Sequence, residues 1–261
     1  MKQFGIIAAL PAEAKCLAKS TDIRKALSSP LQLADNVFLI ISGIGTEQAE
    51  KAAKALIQHG ADALLSWGCA GALSEVLQPG DVVLPHTIMH QTSGALQTDK
   101  AWHAYLSGLL SQLFSGQYPG SGKIVTDTLA GSAQIITEPL QKQVLYQSGG
   151  AVAVDMESAS IALIAQDAGV PFMAVRAIAD DVNTGIPDYI NKAMDNYGHI
   201  NITRMLGLLL MHPASWRRLM RLGRQFSVAK ASLSRINEKV GVDGLLPPPS
   251  SKKHCLTDAI N

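Results

Sequence analysis

The apolar positions of this chain fall in short, unbroken runs. FGIIAAL (4–10), VFLIIS (37–42), ALLSWG (63–68), DVVLP (81–85), KIVTDT (123–128), AVAVDM (151–156) and FMAVRAIA (172–179) are each of strand length. Most lack the apolar–polar alternation of a half-buried strand, which predicts strands covered on both faces. Between the runs the period changes. TEQAEKAAKALIQHG (46–60) gathers Ala49, Ala52, Ala53, Leu56 and Ile57 on one side and closes on a glycine, the pattern of an amphipathic helix. A second helix is predicted over 137–148, which opens TEP, and a third over 158–169, again closed by glycine. Strand–helix alternation predicts an α/β fold, a single domain with a mixed central sheet flanked by helices. Past about residue 200 the pattern becomes a basic helix. The expected organisation is one domain over 1–203, a basic helical extension over 204–239 and a disordered tail over 240–261, which contains PPPSS (247–251).

Composition narrows the classes. The 261 residues are 47% hydrophobic and 16% charged, enough for a large buried core, and only 5% aromatic, so that core is mainly aliphatic. A formal charge of +1 argues against nucleic-acid binding by the whole domain. Cys16, Cys69 and Cys255 form no close pair and no metal-type spacing, which fits a reduced, cytoplasmic setting. The opening MKQFGIIAALPAEAK reads as a first strand and not as a signal peptide, and MLGLLLM (205–211) is too short to span a bilayer.

Candidate chemistry sits at the ends of the runs. In open α/β sheets, ligands bind at the carboxyl ends of strands. VAVDMES (152–158) ends in Asp155 and Glu157, PFMAVRAIADD (171–181) in Asp180 and Asp181, and Glu13 stands just past the first strand. Each acid has an ordinary reading as a first-turn helix acid or cap, and for Asp155 and Glu157 the two readings weigh equally. Three strands delivering carboxylates to one rim is the less ordinary pattern. Arg176, inside a strand, requires a carboxylate or carbonyl partner. SWGCAGAL (66–73) offers Gly68, Ala70 and Gly71 for close approach of a ligand to backbone, or for close helix packing. Cys69 has no histidine partner and reads as an inert small residue. ISGIGTEQAEKA (41–52) is strand, glycine turn and helix, but Gln48 stands where a dinucleotide fingerprint needs its third glycine. HTIMH (86–90) lacks the acid of a metal motif and reads as loop or strand, so no metal and no cofactor are expected.

Taken in order, these stretches resemble the nucleoside phosphorylase and nucleosidase superfamily, and within it methylthioadenosine/S-adenosylhomocysteine nucleosidase. The resemblance covers about residues 3–190 and rests on FGIIAALPAEA, Ser42-Gly43-Ile44-Gly45, Gly68-Cys69-Ala70-Gly71-Ala72, Gly80-Asp81-Val82-Val83, Asp155-Met156-Glu157-Ser158 and Arg176-Ala177-Ile178-Ala179-Asp180. It implies a nucleoside phosphorylase-like domain that cleaves the N-glycosidic bond of a 5′-substituted adenosine. Glu13 would activate the attacking water, and Asp180 would bind the purine edge and protonate N7. Glu157 would hold the ribose hydroxyls and Met156 would pack on the sugar, while Cys69, Ala70 and Gly71 would line the substrate. It further implies a homo-oligomer that binds a small-molecule nucleoside. The chain departs from the phosphorylase members at Ser66 and Cys69, where they hold phosphate with an arginine and a serine, which favours hydrolysis. No aromatic stands in TLAGSAQII (128–136), where one would stack on adenine. LPAEAK, VDMES, the GIPDY turn and HPASWRRLMRLGRQF are similar to a hopanoid-biosynthesis branch that removes adenine from adenosylhopane. For such a substrate the basic amphipathic tail would be a peripheral membrane contact. The alternatives are a phosphate-dependent phosphorylase and a non-catalytic nucleoside-binding member.

Overall fold

The computed structural model describes residues 2–18, 23–27, 29–114, 122–185 and 216–248. Among them eleven strands form one mixed sheet. Its centre is the long β4 (Ala61–Ala72), with β1 (Gln3–Ala8) parallel on one side and β11 (Phe172–Asp180) parallel on the other. β3 (Val37–Ile41) continues in parallel beyond β1, and β2 (Leu31–Ala34) closes that edge antiparallel. The far end of β4 pairs antiparallel with β10 (Ala153–Asp155). From β10 the sheet runs through β9 (Leu129–Gly131) and β6 (Thr87–His90) to β7 (Gly94–Gln97). β5 (Val82–Val83) and β8 (Ile124–Val125) extend the β11 side.

Each of the seven apolar runs holds a strand, and their lack of alternation has a direct cause. Successive residues feed two cores. Ile6, Leu65, Met173 and Val175 join Trp67 and Trp102 on one face, whereas Ile7, Leu64 and Ala174 join Leu56 and Ile161 on the other. α2 (Thr46–Gln58) and α5 (Ser158–Asp167) cover the second face. α1 (Pro11–Ala14), α3 (Lys100–Leu113) and α6 (Trp216–Val240) cover the first. α4 (Pro139–Gly149) begins two residues later than the predicted helix, with Glu138 as its N-cap.

The extension belongs to this core. Ala229, Leu233 and Ile236 of α6 are fully buried, so the apolar stripe of the basic helix docks on the domain. Residues 204–215, MLGLLLM and most of the GIPDY turn lie outside the described residues. One expectation needs correction. Disorder does not begin at 240, because Asp243–Leu245 form a 3-10 turn, Leu245 is buried and its carbonyl accepts from Trp102 Nε1 at 2.9 Å. Residues 249–261 lie outside the described ones. No helix among the described residues is long and apolar enough to cross a membrane.

Candidate functional site

The site is built around Gly68–Gly71, at the end of β4 where its neighbours change. Glu13, in the short helix after β1, is 3% exposed. Its carboxylate accepts the Leu10 N–H at 2.9 Å and the Cys69 N–H at 2.8 Å. A Cβ on Gly68 would collide with Arg176 Nη1 and approach Glu13 Oε1 to 2.7 Å. Glycine is thus what lets the acid and the guanidinium meet across β4.

Arg176 finds the partner its position demanded. Its Nε lies 2.6 Å from Asp155 Oδ2, and its Nη2 donates to Ser66 Oγ at 2.6 Å and Ser158 Oγ at 2.9 Å. Asp155 also accepts from the Ser158 hydroxyl, and from the Ser158 N–H at 3.1 Å. Arg176 Nη1, on the Glu13 side, is buried with no hydrogen-bond partner among the described residues. The two readings of the paired acids therefore divide between them. Asp155 caps α5 and anchors Arg176, while Glu157 turns away from its helix and accepts the Gly45 N–H at 2.9 Å. Gly45 has φ +101° at the start of α2, a conformation that L side chains rarely adopt.

Asp180 enters by a register shift. β11 pairs Ile178 with Ala70 and Asp180 with Gly71, so Ala179 is extra, and the irregularity sets Asp180 against Gly71. A Cβ there would lie 3.1 Å from Asp180 Oδ1. Glu13 binds at Cys69 and Asp180 faces Gly71, two residues or about 7 Å along a strand. Ala70 is buried between them. Met156 lines a 200 Å³ cavity with His90, Ser132 and Glu50. Ser66 is fully buried and bonded to Arg176 and Ser158.

Burial controls the electrostatics. It pushes the Glu13 carboxyl up against the pull of Arg176 and the two N–H groups. It opposes the Arg176 charge, which Asp155, Glu157 and Glu13 more than restore. The Cys69 thiol is raised by burial and by Glu13, which leaves it protonated and inert. Glu157 is pushed up to about 7 by burial and then by Asp155. Its folded value exceeds its ordinary 4.5, so its share of stability is complete below 4.5 and is lost as pH rises through about 7. Denaturation of wild type between pH 5 and 8 should therefore show a decline that Glu157→Gln lacks, worth about 3 kcal/mol. Equal slopes in the two proteins would assign the titration elsewhere.

One site residue left no mark in the sequence, and another only a partial one. Arg176 was legible as a buried cation, but not as a neighbour of Glu13. Lys142 gave no signal at all. It rises from α4, 1% exposed, and pairs with Asp180.

Comparison with known proteins gives the family. A model of the phosphorylase superfamily matches residues 3–200. The 5′-methylthioadenosine/S-adenosylhomocysteine nucleosidase of Shewanella halifaxensis is 25% identical over 191 residues, 67% of this chain and 81% of that protein. The Shewanella pealeana protein of the same name is 24% identical over 79% of this chain and 98% of its own. Among solved structures, the Neisseria meningitidis nucleosidase of that name, in complex with methylthio-immucillin-A, has a TM-score of 0.64 at 16% identity and covers 92% of this chain and 99% of its own. Futalosine hydrolase of Helicobacter pylori has a TM-score of 0.60 at 17% identity, with 91% and 98% covered. The structural likenesses speak for the fold, and the family match spans most of the sequence: the chain belongs to the phosphorylase superfamily.

Proposed function

We propose that this protein is a nucleosidase that hydrolyses the N-glycosidic bond of a 5′-substituted adenosine and releases adenine. The observation that carries this reading is the buried Glu13 carboxylate beside Arg176 Nη1, which has no hydrogen-bond partner among the described residues, across Gly68. A water held between that acceptor and that donor has its oxygen fixed and a base for its proton. Breaking the glycosidic bond develops positive charge on the ribose and negative charge on the purine. Glu157 accepts the ribose hydroxyls, Met156 packs on the sugar, Cys69, Ala70 and Gly71 form the floor, and Asp180 gives its proton to N7. Three carboxylates, Glu13, Asp155 and Glu157, surround one guanidinium. Asp155 already engages the guanidinium through Nε and Glu13 stands on its Nη1 side, which leaves it poorly placed to hold phosphate and favours water. Incubation with methylthioadenosine and other 5′-substituted adenosines should release adenine, and binding without release from every one of them would leave a nucleoside-binding protein instead.

The finer reading concerns the 5′ substituent, methylthioadenosine-like or a hopane chain. A specific feature favours a lipid. Arg217, Arg218 and Arg224 at the start of α6 are exposed beside Met220, which is 61% exposed, and Arg221 bonds Asp181 next to Asp180. The basic end of the helix thus meets the rim of the site, where it suits an anionic membrane surface. Full-length protein should sediment with anionic vesicles at low salt and release them at high salt, whereas Arg217→Gln/Arg218→Gln/Arg224→Gln should bind several-fold less. Equal binding by both removes the membrane role. Truncation before α6 is no substitute, since Leu233 and Ile236 are core residues. A homo-oligomer is part of the proposal, supported by the exposed Leu140, Val144 and Tyr146 of α4, as is a cytoplasmic setting, supported by the unpaired spacing of the cysteines.

A further inference from the structure

Lys142 is the one buried residue of α4, at 1% exposure, while Leu140 and Val144 of the same helix are 69% and 58% exposed. Leu145 also packs on the core, yet Lys142 is the residue that this helix buries fully, and lysine is almost never fully buried without a partner. The ammonium donates to Asp180 Oδ2, to the Asp181 carbonyl at 2.7 Å and to the Thr184 carbonyl at 3.2 Å. These acceptors match its three donors. The same turn is held from the other side by α6, where Arg221 Nη2 and Gln225 Nε2 reach Asp181 Oδ2 at 2.7 and 2.6 Å. Asp180 holds Oδ2 on Lys142, and both of its oxygens lie over Gly71, Oδ1 the nearer, at 3.1 Å against 3.3 Å from a Cβ placed there.

Resting on the reading of Asp180 as the acid that serves the purine, we infer that Lys142 is the positioning residue of that step. It aims Oδ1 at the base and holds the carboxylate that remains when the proton has left. The C1′–N9 bond breaks with its electron pair going to the purine, and the proton on Asp180 Oδ1 passes to N7, so adenine leaves neutral. Water gives its oxygen and one proton to C1′ as hydroxyl and its other proton to Glu13. Solvent then returns a proton to Asp180 as Glu13 releases one. Without Lys142 the Asp180 anion would stand buried and unpaired, which opposes its formation.

Among the described residues, the charged groups facing Asp180 are Lys142 from α4 and its chain neighbour Asp181, itself paired with Arg221 of α6; β4 presents Gly71. Burial raises the Asp180 carboxyl, and Lys142 draws it back by charge and hydrogen bond without cancelling the rise. Removing the ammonium makes Asp180 a weaker acid that stays protonated to higher pH.

The test compares wild type, Lys142→Met and Lys142→Arg on a 5′-substituted adenosine and on a nitrophenyl riboside, whose leaving group departs without a proton. Lys142→Met should lower kcat on the adenosine on the order of 10–100-fold and move the alkaline limb of kcat/KM to higher pH. It should change nitrophenyl riboside cleavage by no more than about twofold, and Lys142→Arg should restore the limb. An unmoved limb, or equal losses on both substrates, overturns the role. Should Lys142→Met not fold, Asp180→Asn and Asp180→Asn/Lys142→Met are compared: equal kcat supports action through Asp180, and a further loss in the double variant overturns it. Wild type that releases no adenine from any 5′-substituted adenosine removes the underlying reading and the inference with it. Wild-type turnover with an unmoved Lys142→Met profile removes the inference alone.

Discussion

Glu13→Gln should lower kcat on the order of 10²–10⁴, the contribution of a well-placed general base, and should leave the protein folded. The glutamine oxygen still accepts one of the two N–H groups, from Leu10 or Cys69, that bind the carboxylate. The amide nitrogen faces the other as donor against donor, a loss of about 1 kcal/mol. Against that loss stands the removal of a buried charge, since burial already opposes ionisation of this group. KM should change little, because the interaction removed is realised in the transition state. Steady-state kinetics beside a thermal melt decides the matter. Wild-type turnover from a folded Glu13→Gln protein would show that Glu13 only fastens β4 to the turn after β1.

Asp180→Asn should give a loss of similar order in kcat, on the order of 10²–10⁴, with a cost in stability that the sequence did not foretell. In the sequence Asp180 is an acid at a strand end, and an isosteric amide looks harmless. In the structure it lies against Lys142, which is 1% exposed, and whenever it is ionised it neutralises that ammonium. Leaving a buried ammonium without its counter-ion costs about 3–5 kcal/mol. The melting point should therefore fall in Asp180→Asn and recover in Asp180→Asn/Lys142→Met, with kcat equally low in both. An unshifted melt in Asp180→Asn would mean that the pair contributes nothing to the fold. Wild-type kcat in that variant would remove Asp180 from the chemistry.

The contrast between these two acids shows what a sequence carries. Strands buried on both faces announce themselves, because every position in them must be apolar: Ile6 and Ile7, or Leu64 and Leu65, fall into opposite cores. The short strands β2, β6, β7 and β9 pair over three or four residues and leave no such run. α3 did leave a trace that went unread. Asp99 accepts the Trp102 N–H at 2.8 Å as an N-cap, and Trp102, Leu106 and Leu110 recur every fourth residue into the core. Candidate acids were legible because strand ends are where sheets bind ligands. Their partners were not, because pairing depends on which elements the fold brings together. Lys142 lies 38 residues from Asp180, on a helix where Leu140 and Val144 face outward and Leu145 packs inward, so the apolar pattern of that helix does not mark its buried side. Arg176 reads in the sequence as needing a carboxylate or carbonyl partner, yet only the register of β11 against β4, with Gly68 opposite, sets its Nη1 beside Glu13.

The central claim is that Glu13 and Arg176 hold a water that attacks C1′ of a 5′-substituted adenosine. Its most direct test is turnover in ¹⁸O-water, with and without phosphate, followed by mass analysis of the sugar. The account predicts adenine and a free sugar bearing ¹⁸O at C1′, formed at the same rate whether or not phosphate is present. A sugar 1-phosphate formed only when phosphate is added, or no adenine at all, would contradict it.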